Sequence, residues 1–309
     1  LGYNDQTTYD VAIGLGATAG ATGAGVEYLA PGFDILEPLE TPWISTAPKR
    51  KATAVNHEFM RDDYAAGTSN ASIEGREHEV TTAQDFTRYR NYTQIMSKDI
   101  QVTTSMQKTM FAGNIGKILA YQKMKAMKQL KVDMEWNFFQ STSSSGASGT
   151  ARKMIGIISA LSAVGSNFST SSGQRALDKT LFDAVALLAY TDGAKIDKIY
   201  VSPQVKMLLA QLVSSTFGTR FIAGGEKGQV IQTVDVIESD LGVYPVIIDR
   251  QTTTNTIVML ESARWRRAVL DPVQFRDIGV TGLTHKSMIF CEETLEYHPD
   301  AGGLLEDIS

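Results

Sequence analysis

This 309-residue chain has one cysteine, Cys291, and four histidines. A single thiol excludes an intramolecular disulfide, so stability must come from burial and hydrogen bonding. The histidines, His57, His78, His285 and His298, include no pair at metal-ligand spacing and no HExxH. His57-Glu58 and His78-Glu79 are adjacent in extended chain, where neighbours point to opposite faces and cannot share a ligand. No apolar run approaches the roughly 20 residues that span a bilayer. There is no basic head followed by a short apolar core, as a secretory signal requires. Excess positive charge is missing too: the net charge of −5 argues against a dedicated nucleic-acid binder but leaves room for a local basic face.

Catalytic motifs are equally scarce. There is no GxSxG elbow and no Walker phosphate loop. Cys291 lies in a strand-like run, where a buried structural thiol is expected. Gly14-Leu15-Gly16-Ala17-Thr18-Ala19 formally satisfies a dinucleotide fingerprint. That fold needs a stable helix next, and Gly20, Gly23 and Gly25 would break it. No catalytic, cofactor or metal residue is assigned, and no cofactor is expected.

What is present is a long mixed-charge arm, Lys49 to Lys98. Two extended runs, 52–60 and 87–96, are rich in Thr, Val, Tyr and Phe and flank a polar tip. Eight Lys/Arg and seven Asp/Glu nearly cancel. Neither run has a clean apolar face, and an isolated two-stranded ribbon is marginal in water. The arm should therefore add little to its own core and lie on a neighbouring subunit. Its charges, Lys49, Arg50, Lys51, Arg61, Asp62, Asp63, Arg76, Glu77, Arg88 and Arg90, are the candidate inter-subunit residues. A solvated, salt-bridged hairpin is the alternative.

Before the arm, residues 1–40 are Gly/Ala/Thr-rich, and Trp43 is expected to anchor the ordered part. After it, 100–109 reads as a short strand or connection. Residues 114–139 form a proline-free helix of about 40 Å, at about 1.5 Å per residue. Leu119, Met127, Leu130, Met134 and Phe138 share one arc. Lys117, Lys125, Lys128 and Lys131 share another, either a solvated face or one that meets DNA phosphates. Residues 141–150 are a Ser/Gly loop, and 153–164 reads as a strand.

From 177 to 270 helices and strands alternate. Helix 180–190 turns Leu181, Val185, Leu188 and Ala189 inward and ends at Gly193. Strand 196–201 follows, and Ser202-Pro203 caps helix 204–213. A glycine-rich loop spans 217–228. Strands are expected at 230–238, 243–249, 256–261, 265–269 and 284–297, then a Gly-rich acidic tail. Arg264-Trp265-Arg266-Arg267 could stack nucleic acid, but an alternating strand with arginines paired to carboxylates fits better.

The order of these parts resembles the major capsid proteins of tailed bacteriophages with the Hong Kong-97 fold. Local words are similar too: Thr41-Pro42-Trp43, Asn56-His57-Glu58, Glu74-Gly75, Arg90-Asn91-Tyr92-Thr93-Gln94-Ile95, Tyr121-Gln122 and Ile199-Tyr200-Val201-Ser202-Pro203. The resemblance implies an α+β chain with an N-terminal arm (1–48) and an extended β-hairpin loop (49–98). A peripheral domain with the spine helix (99–176), an α/β axial domain (177–270) and a return strand with C-terminal tail (271–309) complete it. It implies a non-enzymatic protein that self-assembles, as hexamers and pentamers, into an icosahedral shell enclosing phage DNA. The partners implied are copies of itself, scaffold, portal and cement proteins, and non-specific packaged DNA, with no membrane. Assembly in the host cytoplasm is expected. The readings of other classes are an α/β enzyme with a mobile loop at 217–228 and another phage structural part such as a tail protein.

Overall fold

The structure, a computed structural model, describes residues 40–62, 67–69, 71–77, 86–108, 117–163, 168–170, 173–217, 235–239 and 241–308. The N-terminal arm before residue 40, the helix start at 114–116, the loop at 218–228 and the strand start at 230–234 lie outside the described residues. In chain order the elements begin α1 (Pro42–Thr46), β1 (Lys49–Lys51), β2 (Asn56–Arg61), β3 (Thr87–Tyr92), β4 (Gln94–Thr103), α2 (Thr104–Lys108), α3 (Ile118–Gln140), α4 (Ile157–Ala163) and β5 (Phe168–Ser169). They continue α5 (Lys179–Thr191), β6 (Lys198–Val201), α6 (Pro203–Phe217), β7 (Val236–Ser239), β8 (Gly242–Ile248), β9 (Ile257–Leu260), β10 (Arg266–Thr281), β11 (Thr284–Glu296) and β12 (Gly302–Leu305).

The spine helix α3 forms where Ala, Leu, Met, Lys and Gln run on without glycine or proline. Burial follows one inclined i, i+4 ridge through Ile118, Ala126, Leu130, Met134 and Phe138. The next ridge, through Met127, Lys131, Glu135 and Phe139, is covered only at its C-terminal end, where Trp43 and the second sheet arrive. Met127, expected inward, is therefore exposed, while Glu135 and Phe139 are buried. Trp43 is the anchor its position suggested, with its ring 4.8 Å from Phe138 and 6.2 Å from Phe139.

Beneath the spine lies a four-stranded sheet in the order β1-β10-β11-β4. The returning run of the arm is really two strands. β3 pairs with β2, and the chain then breaks at the buried Thr93 and enters the spine sheet as β4, antiparallel to β11 from Gln94↔Glu293 to Thr103↔Thr284. Of the short strand or connection expected at 100–109, residues 100–103 are the end of β4 and 104–108 form the helix α2. β10 runs to Thr281, well past the expected 269. Pro272 lies within this strand. Proline is tolerated there because the register shifts between Asp271 and Gln274, and because β1 covers β10 only as far as Val269.

A six-stranded sheet, β5-β12-β9-β6-β8-β7, has two buried faces. Tyr200, Val258, Leu260 and Leu304 join the spine core. Ile199, Val201, Ile257, Met259 and Leu305 face the other way, into a core shared with α5 and α6. This period-2 partition is what a strand covered on both sides requires. In α5 the buried stripe is Phe182, Val185, Ala186 and Ala189, so Leu188, expected inward, sits off the stripe and is exposed. The chain after α5 turns at Gly193 with φ +85°, as its position foretold. Ser202 caps α6, its Oγ accepting the Val205 N–H at 3.3 Å.

Two segments differ from expectation. Residues 157–163 are helical, not extended. Gly156 brings α4 against the end of the spine: a Cβ there would lie 2.8 Å from Phe139 O and Ser141 N. The Gly-rich tail supplies β12, which lies between β5 and β9 inside the six-stranded sheet, outside the 177–270 segment.

Candidate assembly surface and its anchoring network

The hairpin β2-β3 is the candidate assembly element. Its register runs from Asn56↔Tyr92 to Arg61↔Thr87. Its base is fastened to its own subunit. Phe59 is buried in the spine core, 5.3 Å from Tyr297, 5.8 Å from His298 and 6.0 Å from Tyr89. Tyr297 donates to Arg90 O and Thr294 to Tyr92 O. Asn91 is almost wholly buried. Its amide donates to Leu295 O at 2.7 Å and Ile155 O at 3.3 Å, while its Oδ1 accepts the Ile155 N–H at 2.9 Å. The expectation that the arm adds little to its own core therefore fails at the base. Sequence alternation missed this because it scores apolar faces, and the base is held by one apolar ring and a set of polar links. Beyond Arg61 the picture reverses: residues 67–69 and 71–77, Ile73 among them, and Phe86 are exposed, as is Met60 at the end of β2.

Carboxylates of β11 organise the base. Glu296 receives Arg50 at 2.8 Å, His57 at 3.4 Å and Arg266 at 3.5 Å. Burial opposes its charge, but His57, Arg50 and Arg266 outweigh that and hold its carboxyl below the usual range. Glu293 and Arg267, both buried, form a forked pair at 2.7–3.0 Å. Arg267 also donates to Ile44 O at 3.3 Å and lies 5.7 Å over the Phe138 ring. Glu292 takes Arg152 at 2.9 Å and Thr93 Oγ1 at 2.5 Å. Trp265 is buried and donates to Ala301 O. With Arg264 on Glu261 at 3.1 Å, the arginines of the Arg-Trp-Arg-Arg cluster pair with carboxylates as its alternation suggested, although the strand begins only at Arg266 and Arg264 lies in the turn before it.

The other candidate arm residues divide by position. Lys49, Arg50 and Lys51 form the exposed β1, parallel to β10. Arg61 pairs with Asp300. Asp62, Arg76, Glu77, Arg88 and Arg90 are exposed, Arg88 at 3.4 Å from Glu58. Asp63 lies outside the described residues. On the spine, Lys117, Lys128 and Lys131 are exposed and Lys125 is half-buried; Lys131 donates to Ser45 Oγ at 3.1 Å. The four lysines therefore do not form a single open row. Lys123, also on the spine, pairs with Asp277 at 2.8 Å and lies 5.9 Å over Phe275. An open groove of about 350 Å³ between β4 and α3 exposes Ile95 and Trp136 beside Asp133.

The buried thiol of Cys291 touches Met134 Sδ at 3.8 Å, and burial pushes it up to about 12, far from a thiolate nucleophile at neutral pH. Among the described residues no group of three His, Cys, Asp or Glu is placed to hold a metal. Among the same residues no helix is long and apolar enough to cross a membrane.

A long spine helix on a long-stranded sheet, a projecting hairpin and a second sheet flanked by helices define the Hong Kong-97-type capsid fold. Solved capsids share it. The capsid asymmetric unit of cyanophage A-1(L) superposes with a TM-score of 0.68 at 13% identity, over 92% of this chain and 96% of that one. The capsid of a native GTA particle gives 0.64 at 13% identity, over 96% and 100%. In sequence, the major capsid protein of Escherichia phage Phieco32 is 23% identical over 322 residues, covering 88% of this chain and 91% of the relative. Residues 6–309 match the family described as SU10 major capsid protein, and the chain belongs to that family. It is a tailed-phage major capsid protein, a structural component that assembles with itself into the virion shell.

Proposed function

We propose that this protein closes an icosahedral shell around phage DNA through hexamers and pentamers of itself, with its hairpin arm laid across the neighbouring subunit. The observation that carries this reading is the division of the arm: a base riveted to its own core, and an outer part with exposed apolar and charged groups. A fixed base with a protruding end directs a contact outward at a set angle. Heterologous contacts of that kind close into rings around a rotation axis. Lys49, Arg50, Lys51, Arg61, Asp62, Asp63, Arg76, Glu77, Arg88 and Arg90 are the charges that meet the neighbour. Their near balance lets copies approach without net repulsion.

In this reading residues 1–48 are the N-terminal arm and 49–98 the extended loop. Residues 99–176 form the peripheral domain, 177–270 the axial domain around the five- and six-fold axes, and 271–309 the return strand and tail. Lys117, Lys125, Lys128 and Lys131 face the interior and meet packaged DNA without sequence preference, since phosphate contact needs only clustered positive charge. Scaffold, portal and cement proteins complete the assembly in the host cytoplasm. The role is architectural and not catalytic.

The test replaces residues 62–86 with a short Gly/Ser linker. The base, with Phe59 and Asn91, is retained, so the thermal melt should stay within a few degrees of the unaltered protein. Electron microscopy should then show no closed shells. Normal shells from this variant would refute the arm's role.

A further inference from the structure

Two carboxyl groups are buried together where the spine helix meets the six-stranded sheet. Glu135 comes from α3 and Asp249 directly follows β8; both are fully buried. The Glu135 oxygens accept the N–H groups of Trp43 at 2.7 Å and Ile44 at 2.8 Å. Asp249 Oδ1 accepts the Gln251 N–H at 2.8 Å. Its Oδ2 is buried and faces no donor among the described residues. The two carboxyls are near enough for the Asp249 charge to act on Glu135. Two ionised carboxylates have no hydrogen to offer, whereas one proton between them satisfies the orphaned oxygen and removes the like-charge repulsion.

We propose that Glu135 and Asp249 hold one proton between them and form a protonation-controlled latch that joins the Trp43 anchor, the spine helix and the six-stranded sheet. Other contacts cross the same joint. Gln140 donates to Gln251 O at 2.6 Å, and Arg250 reaches Glu40 at 3.5 Å. The surrounding charged and titratable groups leave the pair to itself. Lys131, one turn before Glu135, donates to Ser45. Arg267 is held by Glu293 and Ile44 O. Tyr200, from β6, is pushed up to about 12 by burial and stays neutral.

Burial first, and the Asp249 charge second, push Glu135 up to about 8 from its ordinary 4.5. Burial raises Asp249 as well. When the joint opens, Glu135 returns to its ordinary value and releases the proton. The closed joint is therefore most stable below about pH 4.5. It weakens as pH rises toward about 8, and changes little above that. One proton released on opening makes the opening constant rise about tenfold per pH unit within this window.

Hydrogen exchange of the full chain, read on peptides covering 41–48 and 249–254 and corrected for intrinsic rate, measures that constant. We expect the tenfold-per-unit rise between about pH 5.5 and 7.5. In Asp249→Asn the like charge is gone and the amide can donate to Glu135, while burial still raises the group, so the rise should flatten at a lower pH than in the unaltered protein. An infrared carboxylic-acid band should be present in the unaltered protein at near-neutral pH and vanish by about pH 9–10, beyond the range in which the pair titrates. This second readout decides the matter even if Asp249→Asn does not fold. A flat opening constant in the unaltered protein, a rise in Asp249→Asn that flattens at the same pH as in the unaltered protein, or no carboxylic-acid band would each overturn the latch.

Discussion

Replacing Arg267 with methionine should cost about 3–5 kcal/mol, because it leaves the Glu293 carboxylate buried without its partner. The figure follows from the geometry: both side chains are sequestered, the pair is forked at 2.7–3.0 Å, and the guanidinium also holds Ile44 O. Methionine fills part of the volume but offers no donor. Urea unfolding of the unassembled protein, followed by far-ultraviolet circular dichroism, is the assay. With a slope of about 3 kcal/mol per molar urea, the midpoint should fall by roughly 1 M or more. The double change Arg267→Met with Glu293→Leu should recover most of the loss, since a well-packed apolar pair replaces a buried ion pair at little cost. Arg88→Met is the internal control: its partner Glu58 is exposed at 3.4 Å, and the effect should stay within about 1 kcal/mol. If Arg267→Met behaves like Arg88→Met, or if the double change is no better than the single one, the buried-pair reasoning is wrong.

Asn91→Ala should destabilise by about 2–3 kcal/mol, because it strands the Ile155 N–H and the Leu295 carbonyl in the core; the same urea titration measures it. Cys291 should resist thiol reagents in the folded protein and react at the unfolding rate, since burial both hides it and suppresses its thiolate; a colorimetric thiol assay with and without denaturant reads this. Changing Lys117, Lys125, Lys128 and Lys131 together to glutamine should leave empty shells intact and weaken DNA retention most at low salt. Retention unchanged at every ionic strength would mean that these lysines are merely solvated.

Much of this molecule could be read along the chain, because the decisive signals are local. The spine helix follows from helix-forming residues without a break, α6 from Ser202-Pro203, the end of α5 from Gly193, and the Trp43 anchor from one large ring beside a Gly/Ala/Thr-rich segment. The order of such parts was enough to indicate the shell fold. Tertiary structure decided what depends on residues far apart. Whether 87–96 is one strand or two turned on Glu292, about 200 positions away, receiving Thr93. Whether 302–305 is a tail or a sheet strand turned on a slot between β5 and β9 that local sequence does not reveal. Met127 and Leu188 looked inward because a helix period gives a face but not the height or angle at which neighbours cover it. The Glu135–Asp249 pair was invisible for the same reason: burial and proximity of two acids separated by 114 positions are properties of packing, and no spacing encodes them.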